Sequence, residues 1–358
     1  MNTLSKLGRV ISISNVYKIR DLILFILDKI GINAILRLIN KDKFIILYGH
    51  GISHRFINFS TRHLAVSEFE KQIKYLKRKK YIFITLTDLF NKKKHGINQK
   101  QRHVIFTFDD GFKNVINNAY PLMKKYNAKG CIYVVSDYIG AEKLLWTDYI
   151  ELLVRNASNS KFKFIFKNKE INYTFNNERE LQIISQNIKH KLRTLNNAER
   201  LSHLEQLSLP NKISYFKNVP IEYRTANWDD LKLLDSKILE VGCHTKTHPN
   251  LTSLEAFEEF KNELLEPKLT LEDKMGYKIN HLCYPAGEFN NKVIHYVKKF
   301  GYQTATITDE GFNTPQTDLF QLKRIQVKNN FIVFKAKISG LYFIIQKIFH
   351  RFIHGGKS

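Results

Sequence analysis

The chain has 358 residues, of which 43% are hydrophobic and 25% are charged, a composition that suits a large packed core and excludes wholesale disorder. Lysine and arginine (57) outnumber aspartate and glutamate (33), and the net charge of +24 favours an anionic partner such as a phosphate-bearing substrate, a lipid headgroup surface or nucleic acid. The three cysteines form no CxxC pair, which excludes a disulfide framework and a zinc ribbon and indicates a reducing compartment.

Both ends of the chain are predicted to form amphipathic helices. Residues 17–38 repeat apolar side chains at helical spacing, and residues 336–353 mix Phe, Ile and Tyr with basic residues. No apolar run reaches the roughly 18 residues that a spanning helix needs, and the first fifteen residues lack the pattern of a signal peptide. Each helix either packs on the core or lies at a membrane surface with its basic side chains toward the headgroups. We therefore expect a cytoplasmic protein, peripheral at the inner membrane in the second case.

Between these ends, short apolar strands alternate with helices. Strands are predicted at Phe44–Leu47, Val104–Phe108 and Cys131–Val135, and helices at Ser67–Lys80 and Asn114–Tyr126, while the run Lys92–Lys94 is assigned to a loop. This alternation indicates parallel βα units. It resumes beyond residue 225, with helices predicted at 228–234 and 292–300 and strands at 240–242, 282–284, 304–308 and 322–327.

Residues 151–225 interrupt this alternation. Two segments of period-two alternation, at 161–167 and 171–175, predict a hairpin, and residues 178–207 predict two polar helices that are broken near Asn196. The segment contains no cluster of reactive side chains. We therefore interpret it as an insertion in a barrel and not as a second catalytic domain.

The segment Thr107–Gly111 (TFDDG) places two adjacent carboxylates, Asp109 and Asp110, directly after a predicted strand. Active sites of α/β folds lie at such strand ends. Adjacent carboxylates repel each other and need a cation or a proton nearby. Because consecutive residues of an extended chain point opposite ways, one of them can enter a coordination sphere while the other stays free to act as a base.

Two further segments carry chemistry. His244–His248 (HTKTH) has an H-x3-H spacing, which brings both imidazoles within reach of one metal ion. Two His and one Asp leave coordination positions open for water, as catalytic sites do. The spacing also arises by chance in a chain with 13 His, so the prediction depends on its combination with the Asp pair. Cys283–Gly287 (CYPAG) is either an ordinary loop or a turn that aims backbone N–H groups at one point.

The segments TFDDG, HTKTH and YPAG, in this order, resemble the polysaccharide deacetylases of carbohydrate esterase family 4, the nodulation-factor deacetylase homology domain. The resemblance extends to residues 119–135 and to Leu322–Ile325, and it covers about residues 44–140 and 225–328. The pairing of TFDDG with HTxxH is fairly specific to the family. Within it, the chain is more similar to the biofilm poly-N-acetylglucosamine deacetylases.

The resemblance implies an α/β fold, a distorted (β/α)7 barrel, which we place over residues 44–328. The apolar spacing at the two ends of the chain adds a helical segment at 1–43 and an amphipathic basic helix at 329–358. The resemblance also implies a hydrolase that removes N-acetyl groups from amino sugars with a divalent metal, most commonly Zn²⁺. Asp109 would be the base on a metal-bound water. The implied metal ligands are Asp110, His244 and His248. The implied substrate and oxyanion residues are Tyr284 through its backbone N–H, Pro285 and Gly287.

Two departures from the family pattern affect the predicted roles. Members with the arginine form of the third motif have Arg two residues before the Pro, where this chain has Cys283, and Arg324 is the candidate replacement that would orient the base. Arg324 also occupies the position at which other members have, in a late Leu-x-His motif, the His that acts as the general acid. In the biofilm type the general acid comes from an early Tyr-His, so His50 is our candidate acid and His54 the alternative.

Other functional classes stay open at this point. Two His and one carboxylate also form the facial triad of non-haem Fe(II) oxygenases, although the second Asp argues against this class. The altered motifs would also fit a non-catalytic carbohydrate-binding barrel. No recognised motif supports nucleic acid as a partner. The expected partners are therefore an N-acetylated polysaccharide, oligosaccharide or lipid-linked glycan and an anionic membrane surface.

Four further side chains have two interpretations each. Cys243 and Cys283 flank the predicted site and are expected to be small buried thiols rather than metal ligands. Trp146 and Trp228 either line a sugar subsite or pack in the core.

Overall fold

The computed structural model describes residues 13–54, 62–95, 101–157, 160–167, 169–211 and 219–354. Most of the segment on which the absence of a signal peptide was predicted lies outside these residues. In the described part of the chain, no helix combines the length and the apolar character needed to cross a membrane.

The strands of the described residues are, in chain order, β1 (Ile45–Gly49), β2 (Gly51–Ser53), β3 (His63–Ala65), β4 (Ile82–Phe83), β5 (His103–Phe108), β6 (Gly130–Val134), β7 (Lys161–Phe166), β8 (Lys169–Thr174), β9 (Leu239–Cys243), β10 (His281–Cys283), β11 (Thr304–Glu310) and β12 (Leu322–Gln326). The α-helices are α1 (Ile13–Lys29), α2 (Ile32–Ile39), α3 (Val66–Arg78), α4 (Leu86–His95), α5 (Tyr120–Tyr126), α6 (Trp146–Arg155), α7 (Glu178–Arg193), α8 (Asn197–Asn211), α9 (Trp228–Lys232), α10 (Phe257–Phe260), α11 (Glu266–Met275), α12 (Asn291–Lys299), α13 (Phe331–Ser339) and α14 (Leu341–His354).

Seven parallel strands close into a barrel, in the spatial order β1-β12-β11-β10-β9-β6-β5. The pairing of β1 with β5, in which Ile46 lies opposite Ile105, closes the ring. The short β4 joins the beginning of β5. This architecture confirms the predicted (β/α)7 barrel.

The barrel interior is filled by alternate residues of its strands, because successive side chains of a strand point to opposite faces. Ile46, Ile105, Tyr133 and Leu322 belong to one buried cluster. Residues of the other parity, such as Phe106, pack against the surrounding helices. Inward-facing positions therefore continue along β5 and β12 toward the carboxyl ends of these strands, where the candidate site lies.

The described residues between 151 and 225 include the predicted hairpin and the two predicted helices. The strands β7 and β8 pair as an antiparallel hairpin from Lys161–Thr174 to Phe166–Lys169, and α7 and α8 are separated near Asn196. Phe164 of β7 and Ile188 of α7 belong to the same hydrophobic cluster as the helices around the barrel. These residues thus pack on the barrel as part of its core. Helix α6 runs across residue 151, at which we predicted that an insertion begins.

Three predictions of local structure were wrong. The helix predicted over residues 17–38 is two helices, because Gly31 adopts φ 89° between α1 and α2, and Gly340 at φ 96° separates α13 from α14 in the same way. Left-handed φ values favour glycine and end a helix. The run Lys92–Lys94, assigned to a loop, lies in α4, where Lys94 is exposed and the other two lysines are half-buried.

Candidate active site

A bidentate ion pair joins Asp109, at the carboxyl end of β5, to Arg324 of β12. Nη1 of Arg324 donates to Oδ1 of Asp109 over 2.7 Å, and Nη2 donates to Oδ2 over 2.9 Å. Both residues are buried. Nε of Arg324 donates to the carbonyl of Ile307, and the guanidinium lies 4.4 Å from the centre of the Tyr48 ring. These contacts fix the guanidinium, and through it the orientation of the Asp109 carboxylate.

The charge of Arg324 controls the ionisation of Asp109. Burial alone would raise the pKa of this carboxyl, but the charge and the hydrogen bonds of Arg324 outweigh burial and hold the pKa well below its usual value. Burial of the Tyr48 phenol, together with the negative charge of Asp109, raises the pKa of this phenol to about 12. Asp109 is therefore an oriented carboxylate at neutral pH.

Asp110, His244 and His248 bring three potential ligand atoms together. Oδ1 of Asp110 lies 3.5 Å from Nε2 of His244 and 3.6 Å from Nε2 of His248, and all three residues are buried. Ligand atoms that bind one Zn²⁺ at about 2.0–2.1 Å lie at comparable distances from each other. The structure therefore brings together the three residues that the sequence suggested as ligands.

The hydrogen bonds and the ionisation of these residues suit a cation. Nδ1 of His244 lies 2.7 Å from the carbonyl of Cys283. A carbonyl only accepts, so Nδ1 carries the proton and Nε2 keeps its lone pair toward Asp110. Burial lowers the pKa of both imidazoles. Neither oxygen of Asp110 has a hydrogen bond of acceptable geometry in the described residues. A buried carboxylate beside two neutral imidazoles fits a divalent metal ion.

Arg62, which the sequence did not suggest, contacts this cluster. Its guanidinium makes close ion pairs with Oδ2 of Asp110 and with Oδ1 of Asp148, and it lies 5.6 Å from the centre of the Phe112 ring. Asp148 is buried, and burial raises its pKa to about 6. Arg62 thus connects the candidate ligand Asp110 to a second buried carboxylate on α6.

The loop that holds both histidines is braced from outside the barrel. Glu263 accepts hydrogen bonds from the backbone N–H groups of Lys246 and Thr247, at 3.1 and 2.9 Å. Thr245 and His248 both have positive φ, so the loop needs such support. Nε1 of Trp146 donates to the carbonyl of His248. The structure therefore assigns Trp146 to the core and not to an open sugar subsite, while Trp228 is half-buried.

The two candidate acids lie in different surroundings. Nε2 of His50, in the turn after β1, is 3.9 Å from Oδ2 of Asp110. Burial and then the charge of Arg62 lower the pKa of His50 well below its usual value. His54 is exposed and lines a polar cavity with residues such as Lys113 and Asn117. Of the two, His50 is the one beside the metal-ligand cluster.

The turn after β10 differs from the expectation. The N–H of Tyr284, our candidate oxyanion donor, donates to the carbonyl of Thr306 over 3.2 Å, because this residue continues the ladder between β10 and β11. Gly287 donates to the carbonyl of Tyr284, and Pro285 has no N–H. The remaining N–H donor of this fully described turn belongs to Ala286, which has φ 56°.

Cys243 and Cys283 are buried, as the sequence predicted. Cys283 lies close to Asp109 and His244, and its Sγ accepts from Nη2 of Arg324 over 3.2 Å. Burial raises the pKa of the Cys283 thiol, and it raises that of Cys243 to about 11. Both are therefore thiols at neutral pH, and Cys283 fills space beside the Arg324 guanidinium.

Sequence patterns did not indicate Arg62, Glu263 or Ala286. Arg62 and Glu263 stand in segments with no recognised motif, and they reach the site only through the fold. Ala286 had a local signal, because it lies between Pro285 and Gly287 in a turn.

A closed parallel barrel with one carboxylate and two imidazoles clustered at the carboxyl ends of its strands defines an α/β-barrel protein whose site can hold a divalent cation. The family model described as polysaccharide deacetylase matches residues 96–305, which is more than half of the chain. The chain belongs to the polysaccharide deacetylase family.

This chain is also similar to individual proteins and solved structures. The poly-beta-1,6-N-acetyl-D-glucosamine N-deacetylase of Staphylococcus aureus is 28% identical over 199 residues, which are 55% of this chain and 64% of that protein. Among solved structures, BC0361, a polysaccharide deacetylase from Bacillus cereus, superposes with a TM-score of 0.54 at 20% identity, covering 83% of this chain and 69% of that one. IcaB from Ammonifex degensii gives 0.54 at 15% identity, covering 84% and 97%. These two likenesses establish the fold.

Proposed function

We propose that this protein is a metal-dependent hydrolase that removes N-acetyl groups from an amino-sugar glycan. The observation that carries the proposal is the cluster of Asp110, His244 and His248 beside the Asp109–Arg324 ion pair. Such a site supplies a place for a Lewis acid next to an oriented carboxylate, which is what hydrolysis of an unreactive amide needs. Family membership supports the same reaction class.

The relatives support an N-acetylated substrate. The Staphylococcus aureus relatives are named for poly-beta-1,6-N-acetyl-D-glucosamine, so a β-1,6-linked N-acetylglucosamine oligomer is our first substrate. A polysaccharide or a lipid-linked glycan stays within the proposal. The cytoplasmic location expected from the sequence stays a prediction.

In the proposed reaction Asp109 accepts a proton from the attacking water. A divalent metal held by Asp110, His244 and His248, with Zn²⁺ as our first choice, would polarise the acyl carbonyl and acidify water. Arg324 keeps Asp109 ionised and fixes its orientation through two hydrogen bonds. We therefore assign Asp109 as the base and Arg324 as a positioning residue.

The leaving amine and the developing oxyanion need donors as well. We assign His50 as the proton donor to the amine, because its ring lies beside Asp110 while His54 is exposed. Because burial favours the neutral ring, His50 has to take up a proton before it can donate one. We assign the N–H of Ala286 to the oxyanion in place of that of Tyr284, which donates to Thr306. Pro285 and Gly287 shape this turn.

The test is release of acetate from β-1,6-linked N-acetylglucosamine oligomers by the purified full chain, after chelator treatment and after addition of Zn²⁺. We expect release that depends on metal and that falls by roughly 10²–10⁴-fold in Asp109→Asn, while metal content stays that of the wild type. His50→Gln should slow release more than His54→Gln does.

Asp273→Asn is the matched control, because the Asp273 side chain is 77% exposed and lies on α11. It should release acetate at the wild-type rate. A metal-loaded wild type that releases no acetate from acetylated sugars would reject the proposal in favour of a non-catalytic carbohydrate-binding barrel. Full activity of Asp109→Asn would reject Asp109 as the base.

A further inference from the structure

The helices at the two ends of the chain expose an unusual amount of apolar surface. Helices α1, α2 and α14 contact one another and pack on α13. Seventeen large hydrophobic side chains are exposed in the described residues, and ten of them belong to this group of helices or to its connection at Ile30. They are Ile19, Leu22, Phe25, Ile26, Ile30, Ile35, Leu38, Ile39, Ile344 and Ile348. We call these ten side chains the terminal apolar face.

Helix α2 is inverted relative to an ordinary surface helix. Its polar residues Asn33 and Arg37 are 1% and 6% exposed, whereas Ile35, Leu38 and Ile39 are 53%, 63% and 65% exposed. Surface helices normally bury their apolar stripe and expose the polar one. The outward face of α2 therefore has the character of a surface that is covered by something apolar.

Specific buried contacts fix this orientation of α2. Nη1 of Arg37 donates to the Tyr75 hydroxyl of α3 over 2.9 Å. Nδ2 of Asn33 donates to Oδ1 of Asp28 over 2.8 Å, and the Ser339 hydroxyl donates to Oδ1 of Asn33. Turning the helix over would bury apolar side chains, but it would break these bonds. The exposed apolar face is thus built into the packing.

Basic side chains border the terminal apolar face. Lys18 and Lys29 stand at the two ends of the exposed stripe of α1, and Lys41 and Lys347 are exposed beside α2 and on α14. The acidic residues of α1 are already paired, Asp21 with Arg20 and Asp28 with Lys335. The face is therefore apolar at its centre and positive at its border.

We propose that the terminal apolar face docks on an anionic lipid bilayer, with α1, α2 and α14 lying in the interface. An apolar helix face bordered by lysines is the pattern of helices that insert between headgroups and acyl chains. The net charge of +24 adds attraction to anionic lipid. The same charge opposes a second copy of this chain as the occupant, because docking would bring the same lysines together.

Flotation with vesicles tests the proposal on the purified full chain at 150 mM NaCl. We expect binding to phosphatidylcholine vesicles that contain 30% phosphatidylglycerol and at least tenfold weaker binding to pure phosphatidylcholine. The double substitution Leu38→Glu with Ile39→Glu should reduce binding at least tenfold, because it places two charges on the outward face of α2. Leu22→Glu with Ile26→Glu tests the face independently on α1.

The matched control is Leu233→Glu with Leu269→Glu, since these side chains are 73% and 49% exposed and lie away from this face. It should bind vesicles as the wild type does.

All variants should keep the wild-type circular dichroism and the same release of acetate from soluble oligomers. Loss of vesicle binding can therefore be distinguished from loss of the proposed hydrolase activity. A wild type that stays unbound, or face variants that bind fully, would overturn it. Light scattering that shows a wild-type dimer dissociated by the α2 variant would assign the face to a second copy.

Discussion

At the scale of single residues, the buried Asp109–Arg324 pair links the candidate base to the packing of the barrel. Both partners are buried, and the guanidinium makes further hydrogen bonds to Ile307 and Thr107. Removing one partner of a buried pair leaves an uncompensated charge and costs about 3–5 kcal/mol, whereas removing both costs much less. The pair therefore couples the position of the candidate base to the stability of the barrel.

We predict that Arg324→Met lowers the free energy of unfolding by about 3–5 kcal/mol. Combining it with Asp109→Asn should cost less than the sum of the two single substitutions, because the double variant has no unpaired buried carboxylate. Urea unfolding of the four proteins of this cycle measures the coupling. Arg179→Met, on the exposed surface of α7, is the control and should be neutral. Strict additivity of the two changes would contradict the prediction.

At the scale of secondary-structure elements, the sequence predicted most of the barrel, because short buried strands and helices each have a clear period. The breaks at Gly31 and Gly340 escaped prediction because the apolar spacing continues across both glycines. Helix α4 was not predicted because its second half consists mainly of lysines, so the apolar residues of its first turns do not repeat along the helix. Its position depends instead on a contact from another element, the side chain of Glu240.

Glu240 of β9 caps α4 from across the bottom of the barrel. Its carboxylate accepts from the backbone N–H groups of Leu86 and Thr87, at 2.9 and 3.2 Å, which are the first turn of the helix. Burial would raise the pKa of Glu240, but His281 and these hydrogen bonds lower it below 4.5. The negative charge also interacts favourably with the helix N-terminus.

We predict that Glu240→Gln lowers the free energy of unfolding at pH 7 by about 1–3 kcal/mol. The folded-state pKa is below the unfolded value of 4.5, so the contribution of the carboxylate is present above pH 4.5 and is lost as the pH falls through the folded-state pKa. Wild type and variant should therefore converge in acid. Denaturant unfolding between pH 7 and pH 3 tests this, with the exposed Glu266→Gln as control. A difference that stays constant with pH would disprove it.

At the scale of the whole molecule, the barrel assembles the site from distant parts of the chain. Asp110 follows β5, the two histidines follow β9, and Arg324 comes from β12. Their residue types and the strand ends were visible in the sequence, so the set of candidates could be proposed from it. The Arg62 contact with Asp110 could not, because Arg62 stands in a segment with no recognised motif and reaches Asp110 only through the fold. Bracing of the histidine loop by Glu263 likewise depends on packing.

The folded barrel should be stabilised by the metal that we propose. Asp110 pairs with Arg62 through Oδ2, while its Oδ1 lies 3.5 and 3.6 Å from the Nε2 atoms of His244 and His248, and a divalent cation binds such a ligand set only where the fold brings the three residues together. A metal that binds the folded chain and not the unfolded one adds about 2.7 kcal/mol at a concentration one hundred times Kd. We predict that Zn²⁺ at this concentration raises the Tm of the chelator-treated protein by several degrees.

His248→Ala should abolish the shift in Tm, because it removes one of the three ligands, whereas the exposed Asp273→Asn should preserve it. Differential scanning calorimetry with Kd measured separately tests the prediction, and an equal shift in His248→Ala would place the bound metal elsewhere on the protein.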